Sequence, residues 1–347
     1  MIRYILKRFL LVIPVLLGAT LLVFTIMEFT PGDPAKLILG NEATEEDITN
    51  LREEMGLNDP FVVRYVRFVT NMLKGDLGIS YRNNLDVSDQ IIQRLKNTMI
   101  LAGAAVLIAV VIGIPVGIIS AIKQYTAFDN IVMMVTLFLA ASPVFWLGLM
   151  LVIIFALNLG WFPAAGMKTG FPDMLICLVL PAFTLSSNTM ATIARTTRAS
   201  MLEVVRQDYI DTARSKGLKE STITVRHMLK NALIPIVTMI GLSFGGLLGG
   251  SVVTESIFAW PGVGRFVVDS INFKDTPSVL ASVVMLSIFS TFVNLFVDLL
   301  YAFVDPRIKS QYQSKLLWSS TFVTLVAKKY HESVTLPSGL RMVYDNH

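Results

Sequence analysis

Six apolar runs in the chain are each long enough to cross a membrane, and they constrain the fold more than any other feature. A helix needs roughly 20 apolar residues to span about 30 Å of hydrocarbon. Since 54% of the residues are hydrophobic and 16% charged, a soluble core would leave too little polar surface to cover it. The runs are 9–29, 98–122, 131–157, 174–194, 233–254 and 278–304. The sequence predicts an all-α membrane protein with six transmembrane helices.

The first run imitates a secretory signal, because Arg3, Lys7 and Arg8 precede it. It is longer than the apolar core of a signal peptide, and no small-residue cleavage site precedes the PGDP segment at Pro31. We therefore expect a retained first helix.

Basic residues in the connections predict the orientation. Segment 195–231 holds eight Lys and Arg residues against four Asp and Glu residues. With six spans, it shares one side with the basic N-terminus, the turn 123–130, and Arg307 and Lys309. Because Lys and Arg favour the cytoplasmic side, both termini are predicted to be cytoplasmic. The acidic loop 30–97 and the loop 255–277 then face outward.

Glycine and proline inside the runs predict closely packed and interrupted helices. GIPVG at 113–117 and GLSFGGLLGG at 241–250 repeat Gly four residues apart, which lets helix backbones approach. Pro115 and Pro143 are expected to kink or interrupt their helices, as a transport pathway requires. The alternative is that membrane helices simply tolerate these residues.

The sequence predicts no catalytic, cofactor-binding or metal site. No G-x-x-x-x-G-K-[ST] or H-E-x-x-H pattern occurs, one cysteine forms no disulfide within the chain, and the three histidines are scattered. The net charge of +4 is interpreted as loop charge that sets orientation, not as nucleic-acid binding. Asp298, in the sixth run, is the pathway candidate, although its place near the cytoplasmic end also suits an interfacial role.

The charged segment 208–221, DYIDTARSKGLKES, predicts a helix that ends at Lys216. Acids come early and bases late, which complements the helix dipole, and Gly217 suits the left-handed residue that follows a helix. The early acids are Glu203, Asp208 and Asp211, and the late bases are Arg214 and Lys216. An apolar stripe at helical spacing comprises Leu202, Val205, Tyr209 and Ala213.

A second short helix is predicted over 222–231, with Ser221 as its N-cap. Two short helices joined at Gly217 form a compact knob that can insert into a groove on another protein, and the small Ala213 and Gly217 would permit close approach. A merely solvated loop would need neither the capping nor the stripe.

The segment Asp211–Gly217, DTARSKG, resembles the E-A-A-x-x-x-G loop of ABC importer membrane subunits, with Asp211 and Thr212 in place of the first Glu and Ala. Further motifs across residues 1–313 resemble the dipeptide, oligopeptide and nickel permease branch. They are PGDP at Pro31, GLNDP at Gly56, KGDLGIS at Lys74, SPVFWLGLML at Ser142, LGWFPAAG at Leu159, NALIP at Asn231, ESIFAWPGVGRF at Glu255 and YAFVDPRIK at Tyr301.

This resemblance implies a type I ABC importer permease fold in a bacterial or archaeal cytoplasmic membrane. The partners implied are a homologous second permease, two ATPases that bind ATP and Mg²⁺, an external solute-binding protein, and membrane lipid; the chain itself binds no cofactor and is no enzyme. The ATPase-coupling residues implied are Tyr209, Asp211, Thr212, Ala213, Arg214, Lys216 and Gly217. Those implied to face the binding protein are Asp33, Pro261, Gly262 and Gly264.

The predicted organisation is a first helix and external loop (1–93), a transmembrane domain (94–304) with the coupling loop 195–231, and a cytoplasmic tail (305–347). Residues 314–347 have no counterpart in the family and are expected to be dispensable. Three alternatives stay open at this point: nickel or a metal chelate as cargo, an ATP-independent carrier or channel, and an assembly scaffold.

Overall fold

The computed structural model describes residues 2–40 and 43–304, with side chains throughout these ranges except at 2–9, 248, 296 and 298–304. Helices make up most of the described chain, and its one β pairing is a bridge between Ile79 and Asp86. The helices are α1 (Ile2–Phe29), α2 (Pro34–Leu39), α3 (Glu45–Glu54), α4 (Phe61–Leu73), α5 (Val87–Ile122), α6 (Ala127–Ala141), α7 (Val144–Leu151), α8 (Asp173–Val205), α9 (Asp208–Ser215), α10 (Glu220–Thr222), α11 (Lys230–Ile257), α12 (Val263–Asn272) and α13 (Thr276–Val304). Two π-helical segments, Val152–Asn158 and Ile223–Leu229, follow α7 and α10.

Five described helical segments are long and apolar enough to cross a membrane, and a bent pair of helices makes a sixth if it counts as one span. The five are Leu10–Phe29, Val87–Ile122, Asp173–Val205, Glu220–Leu247 and Thr276–Leu295. The bent pair is Ala127–Ala141 with Val144–Asn158. An all-helical protein with five or six candidate spans is thereby confirmed.

The bend in the third predicted span lies at Ser142 and Pro143. The helix axes on either side differ by 109°. Both residues have extended backbone, and Pro143 has no N–H to continue the helix. The predicted interruption at Pro143 is therefore confirmed. Pro115, by contrast, lies inside the continuous helix α5.

Several helices run beyond the apolar runs that predicted them. Helix α5 begins at Val87, where the Asp86 carboxylate accepts a hydrogen bond from the Ser88 amide at 2.7 Å. Helix α8 continues to Val205, well past the end of its run at position 194. Capping groups and packing, rather than the edge of the apolar run, end these helices.

Helices α5 and α8 pack in close contact through two glycines. A Cβ atom on Gly113 would lie 3.0 Å from the Met190 carbonyl oxygen, and one on Gly117 would lie 2.5 Å from the Ala194 carbonyl oxygen. A side chain at either position would push the two helices apart. The prediction of close packing at GIPVG is confirmed.

The glycines of α11 differ from one another. A Cβ atom on Gly245 would overlap the Asn294 side chain of α13, whereas Gly246 and Gly249 face open space. By its internal contacts, Met1–Val297 forms one compact unit, and all contacts described below lie within it; a second unit begins at Asp298.

Candidate functional site

The segment 206–229 forms a helical hairpin, which consists of α9, a turn, α10 and the π-helical segment Ile223–Leu229. Helix α9 ends at Ser215 with Lys216 as its C-cap, and Gly217 follows with φ +73°. Because this φ is costly for residues with a Cβ, a glycine suits the turn. The predicted end of the first helix, with Gly217 as the left-handed residue that follows it, is confirmed.

The first limb of the hairpin starts later than the sequence predicted. Helix α8 ends at Val205 and α9 begins at Asp208, with Gln207 in an extended conformation between them. Glu203 and Leu202 therefore belong to α8. Of the predicted early acids, Asp208 and Asp211 lie in the first turn of α9.

The prediction for the second limb was wrong in two respects. Lys219, not Ser221, is the N-cap, because Lys219 has the extended backbone and Ser221 already lies within α10. The limb also does not stop at Asn231. It continues through the π-helical segment into α11, with Pro235 inside that helix. The hairpin is thus joined to a membrane span without a break.

Apolar side chains of the hairpin pack against the ends of three long helices. Ile210 is fully buried and Ala213 is 8% exposed. They join a cluster with Ala121, Met201, Ile223, Met228, Ala232 and Ile236. The sequence analysis missed Ile210, although its spacing of three residues from Ala213 marks one helix face. Ala213 packs inward, which corrects the expectation that it meets a partner.

The opposite face of the hairpin is polar and exposed. Arg214 donates from Nε to Glu220 Oε1 at 3.0 Å and lies 3.4 Å from Asp211, so it joins the two limbs. The hydrogen bond with Glu220 raises the pKa of Arg214, which stays charged. Thr212, Lys216 and Gly217 are also exposed.

Two partly apolar side chains flank this polar face. Tyr209 is 43% exposed and Leu218 is 41% exposed. The Tyr209 hydroxyl accepts a hydrogen bond from Asn231 Nδ2 at 2.9 Å, which fixes it against the start of α11. Leu218 was not among the predicted residues, although a leucine directly after the turn glycine marks the tip. An exposed apolar tip within a charged surface is suited to contact with another protein.

At the other end of α11, the carboxylate of Glu255 is fully buried. Glu255 Oε1 accepts a hydrogen bond from Thr98 Oγ1 at 2.8 Å, and Oε2 accepts one from the Arg265 amide at 3.1 Å. Trp260 is also fully buried, and its Nε1 donates to the Asn97 carbonyl oxygen at 3.0 Å. These bonds join the N-terminal third of α5, the end of α11 and the start of α12.

Gly262 and Gly264 pack around that carboxylate. A Cβ atom on Gly262 would overlap the Glu255 carboxyl group, and one on Gly264 would lie 2.6 Å from the Val252 Cα atom. Both glycines are buried, which corrects the expectation that they present a surface to a partner. Pro261 is partly buried, and its carbonyl oxygen accepts from Asn97 Nδ2 at 2.9 Å.

The remaining predicted site residues lie elsewhere. Asp33 caps α2 by accepting from the Ala35 amide at 3.0 Å, and it pairs with Arg52 at 3.4 Å while 26% exposed. Asp298 lies in α13, but its side chain is outside the described residues. The described residues contain no group of three or more His, Cys, Asp or Glu side chains that could hold a metal ion.

One sequence pattern has a catalytic spacing that the structure does not support. GLSFG at 241–245 matches G-x-S-x-G, whose serine acts at a sharp turn from strand to helix. Ser243 instead lies inside α11, where its hydroxyl donates to the Met239 carbonyl oxygen at 2.8 Å. The pattern belongs to helix packing.

Comparison with known proteins places these features in a family. The family described as the binding-protein-dependent transport system inner membrane component matches residues 113–310, and the corresponding N-terminal family matches residues 1–102. A solved structure of the MetNI methionine ABC transporter in an inward-facing conformation matches with a TM-score of 0.51 at 17% identity, over 62% of this chain and 96% of that one. The likeness shows a shared fold.

Curated relatives are much more similar in sequence. The dipeptide transport system permease protein DppB of Alkalihalophilus pseudofirmus is 42% identical, over 89% of this chain and 100% of its own. The oligopeptide permease AppB of Bacillus subtilis is also 42% identical, over 89% and 100%. The glutathione permease GsiC of Pectobacterium atrosepticum is 41% identical, over 89% and 99%.

These relatives are transport subunits rather than enzymes, and they confirm the resemblance drawn from the motifs. The apolar helices agree with a multi-pass location in the membrane. Such a permease works with ATPase and substrate-binding partners. The chain belongs to the family of binding-protein-dependent transport system inner membrane components, the permease subunits of ABC importers.

Proposed function

We propose that this chain is the permease subunit of an ATP-driven importer that carries di- or oligopeptides across the cytoplasmic membrane. The observation that carries the proposal is the similarity to permeases named for dipeptides, oligopeptides and glutathione, at 41% to 42% identity over nearly their full length. Nickel is disfavoured as cargo, because these relatives are named for peptides.

In this proposal the bent pair α6–α7 counts as one span, which makes six spans and places both termini in the cytoplasm. The eight Lys and Arg residues of segment 195–231 support this orientation. The hairpin 206–229 then faces the cytoplasm, and the Glu255 carboxylate lies near the outer surface.

The complete importer would contain a homologous second permease, two ATPases that bind ATP and Mg²⁺, and an external solute-binding protein. This chain would bind no cofactor itself. Since its sequence has no phosphate-binding loop, energy has to enter through contact with the ATPases. Its apolar surface would meet lipid and the second permease.

The hairpin is the contact best suited to that transfer. Leu218 and Tyr209 present apolar surface between the charged Asp211, Arg214 and Lys216, and Ile210 holds the hairpin firmly from beneath. The second limb is continuous with α11. When the ATPase dimer closes, a displacement of the hairpin would move α11 directly, and the spans would alternate between inward and outward access.

Reconstitution tests this proposal. The complete importer in liposomes, with its binding protein outside and ATP inside, should accumulate a labelled tripeptide but not Ni²⁺. A variant ATPase that cannot hydrolyse ATP should abolish accumulation. Uptake by this chain alone would instead favour an ATP-independent carrier, and uptake of Ni²⁺ without peptide would overturn the cargo.

A further inference from the structure

A cavity of about 250 Å³ opens beside Lys274 in the turn between α12 and α13. Charged and polar residues from the end of α1, the loop 30–97 and the turn before α13 line much of it: Glu28, Asp33, Arg52, Arg64, Lys274 and Thr276. We call this space the Lys274 cavity. No described residue of α5, α8 or α11 lines it.

Lys274 is unusual in its burial. Its side chain is only 6% exposed, and its Nζ donates to the carbonyl oxygens of Thr30 and Gly32, the latter at 3.0 Å. These bonds leave the third N–H of the ammonium group free to donate. Lys274 also has φ +54°, a conformation that glycine or asparagine adopts more easily. The lysine thus adopts this backbone conformation while its ammonium binds two backbone carbonyl groups.

The charges of the residues that line the cavity do not balance, because three are cations and two are acids. Arg64 binds both Glu28 oxygens, at 3.0 and 2.9 Å, and Arg52 pairs with Asp33 at 3.4 Å. Lys274 forms no ion pair with a described residue, because the buried carboxylate of its neighbour Asp275 instead accepts hydrogen bonds from the Ser80 and Ser278 hydroxyls, at 2.6 and 2.7 Å. A buried ammonium is costly without a counter-charge, since carbonyl oxygens replace only part of its hydration. The cavity is therefore suited to an anion, and a carboxylate that enters it can accept a hydrogen bond from the free N–H of Lys274.

From this imbalance we propose that the Lys274 cavity receives an Asp or Glu side chain of the external solute-binding protein. The proposal rests on the orientation and assembly given above. The cavity lies between the outer-loop helices α3 and α4 and the start of α13, outside the packed helices α5, α8 and α11. Cargo that crosses between the spans would not enter it, whereas a protein that docks on the outer face would cover it.

The test measures binding of the cognate solute-binding protein to the complete importer in nanodiscs. Lys274→Gln should weaken binding roughly tenfold, because the partner's carboxylate loses its counter-charge, and it should flatten the salt dependence of the affinity. Lys168→Gln removes an exposed lysine of the predicted outer side and should change neither. Equal affinity for Lys274→Gln and the unchanged importer would overturn the proposal.

An exchange of charges between Lys274 and an acid of the binding protein distinguishes an ion pair with that protein from a purely structural role of Lys274 in its own loop. Lys274→Glu should abolish binding, and one Asp→Lys or Glu→Lys change on the binding protein should restore it. If no single exchange among that protein's surface acids restores binding, Lys274 only supports the loop and the proposal fails.

A further measurement leaves Lys274 intact and stays informative if its variants do not fold. Cys177 is buried, so a photo-crosslinker attached to Arg52→Cys labels the cavity rim selectively. It should yield an adduct with the binding protein, and Lys216→Cys on the hairpin should not. Absence of the Arg52→Cys adduct overturns the inference. Failure of the unchanged importer to take up peptide would instead overturn the proposed function.

Discussion

Arg198 and Asp129 form a two-point ion pair between α8 and the first turn of α6. Arg198 Nε donates to Oδ1 and Nη2 donates to Oδ2, both at 2.7 Å, and the Asp129 side chain is only 1% exposed. The Ser120 hydroxyl of α5 donates to the same carboxylate. One side chain pair thus connects the ends of three helices beside the hairpin.

Removal of one partner from this pair should destabilise the subunit. Asp129→Asn leaves the Arg198 guanidinium largely buried without its counter-charge, which costs about 3–5 kcal/mol for a buried pair. We expect a lower midpoint of thermal unfolding in detergent. The free energy of unfolding of the double variant Asp129→Leu with Arg198→Leu should fall by less than the sum of the decreases for the two single variants. An Asp129→Asn protein as stable as the original would contradict the prediction.

The glycines around Glu255 give a second stability test. Gly262→Ala places a methyl group on the Glu255 carboxylate, and such overpacking costs about 1–3 kcal/mol. Gly246→Ala, which points into open space within the described chain, is the matched control and should unfold at the same or a slightly higher temperature, because alanine favours a helix over glycine. Loss of stability in both variants alike would show that the packing around Glu255 is not responsible.

The turn at Gly217 should tolerate some residues and not others. Proline has φ fixed near −65° and cannot adopt the φ of +73° found here, so Gly217→Pro should abolish peptide uptake while the subunit stays in the membrane. Gly217→Asn should retain most uptake, because asparagine enters this region more readily. Uptake is measured in liposomes. If Gly217→Pro takes up peptide as well as Gly217→Asn does, the turn has no part in coupling.

Because Ala213 is buried, a large substitution there should affect folding as well as any contact with the ATPase. Ala213→Arg would push a charged side chain into the buried cluster with Ile210 and Met201. We expect reduced amounts of the folded subunit together with lost uptake, so this variant does not isolate ATPase docking.

Leu218 offers a cleaner test of docking. It is 41% exposed, so Leu218→Asp should leave the stability of the subunit unchanged. A charge at the apolar tip should weaken ATPase retention in a pull-down, by about tenfold for a residue central to an interface. Lys168→Glu, at an exposed residue of the predicted outer side, is the control. Normal ATPase retention by Leu218→Asp would refute the role assigned to the tip.

Local chemistry explains what the sequence predicted well. Gly217 ends a helix because of its own backbone freedom, and Pro143 interrupts one because it lacks an N–H. Neither effect needs a distant residue. The N-cap at Ser221 failed because two positions could start the second limb. The helix begins at Glu220, whose carboxylate pairs with Arg214 of the first limb.

The sequence by itself determined the all-helical membrane class, the hairpin turn at Gly217 and, through its motifs, the family. These follow from hydrophobicity and backbone preferences that act over a few residues. Only the tertiary structure decided that Ala213 packs inward, that Gly262 lies against Glu255, and that Lys274 is buried without an acid partner. Such facts depend on contacts between residues far apart in the chain, which no local pattern of residues encodes.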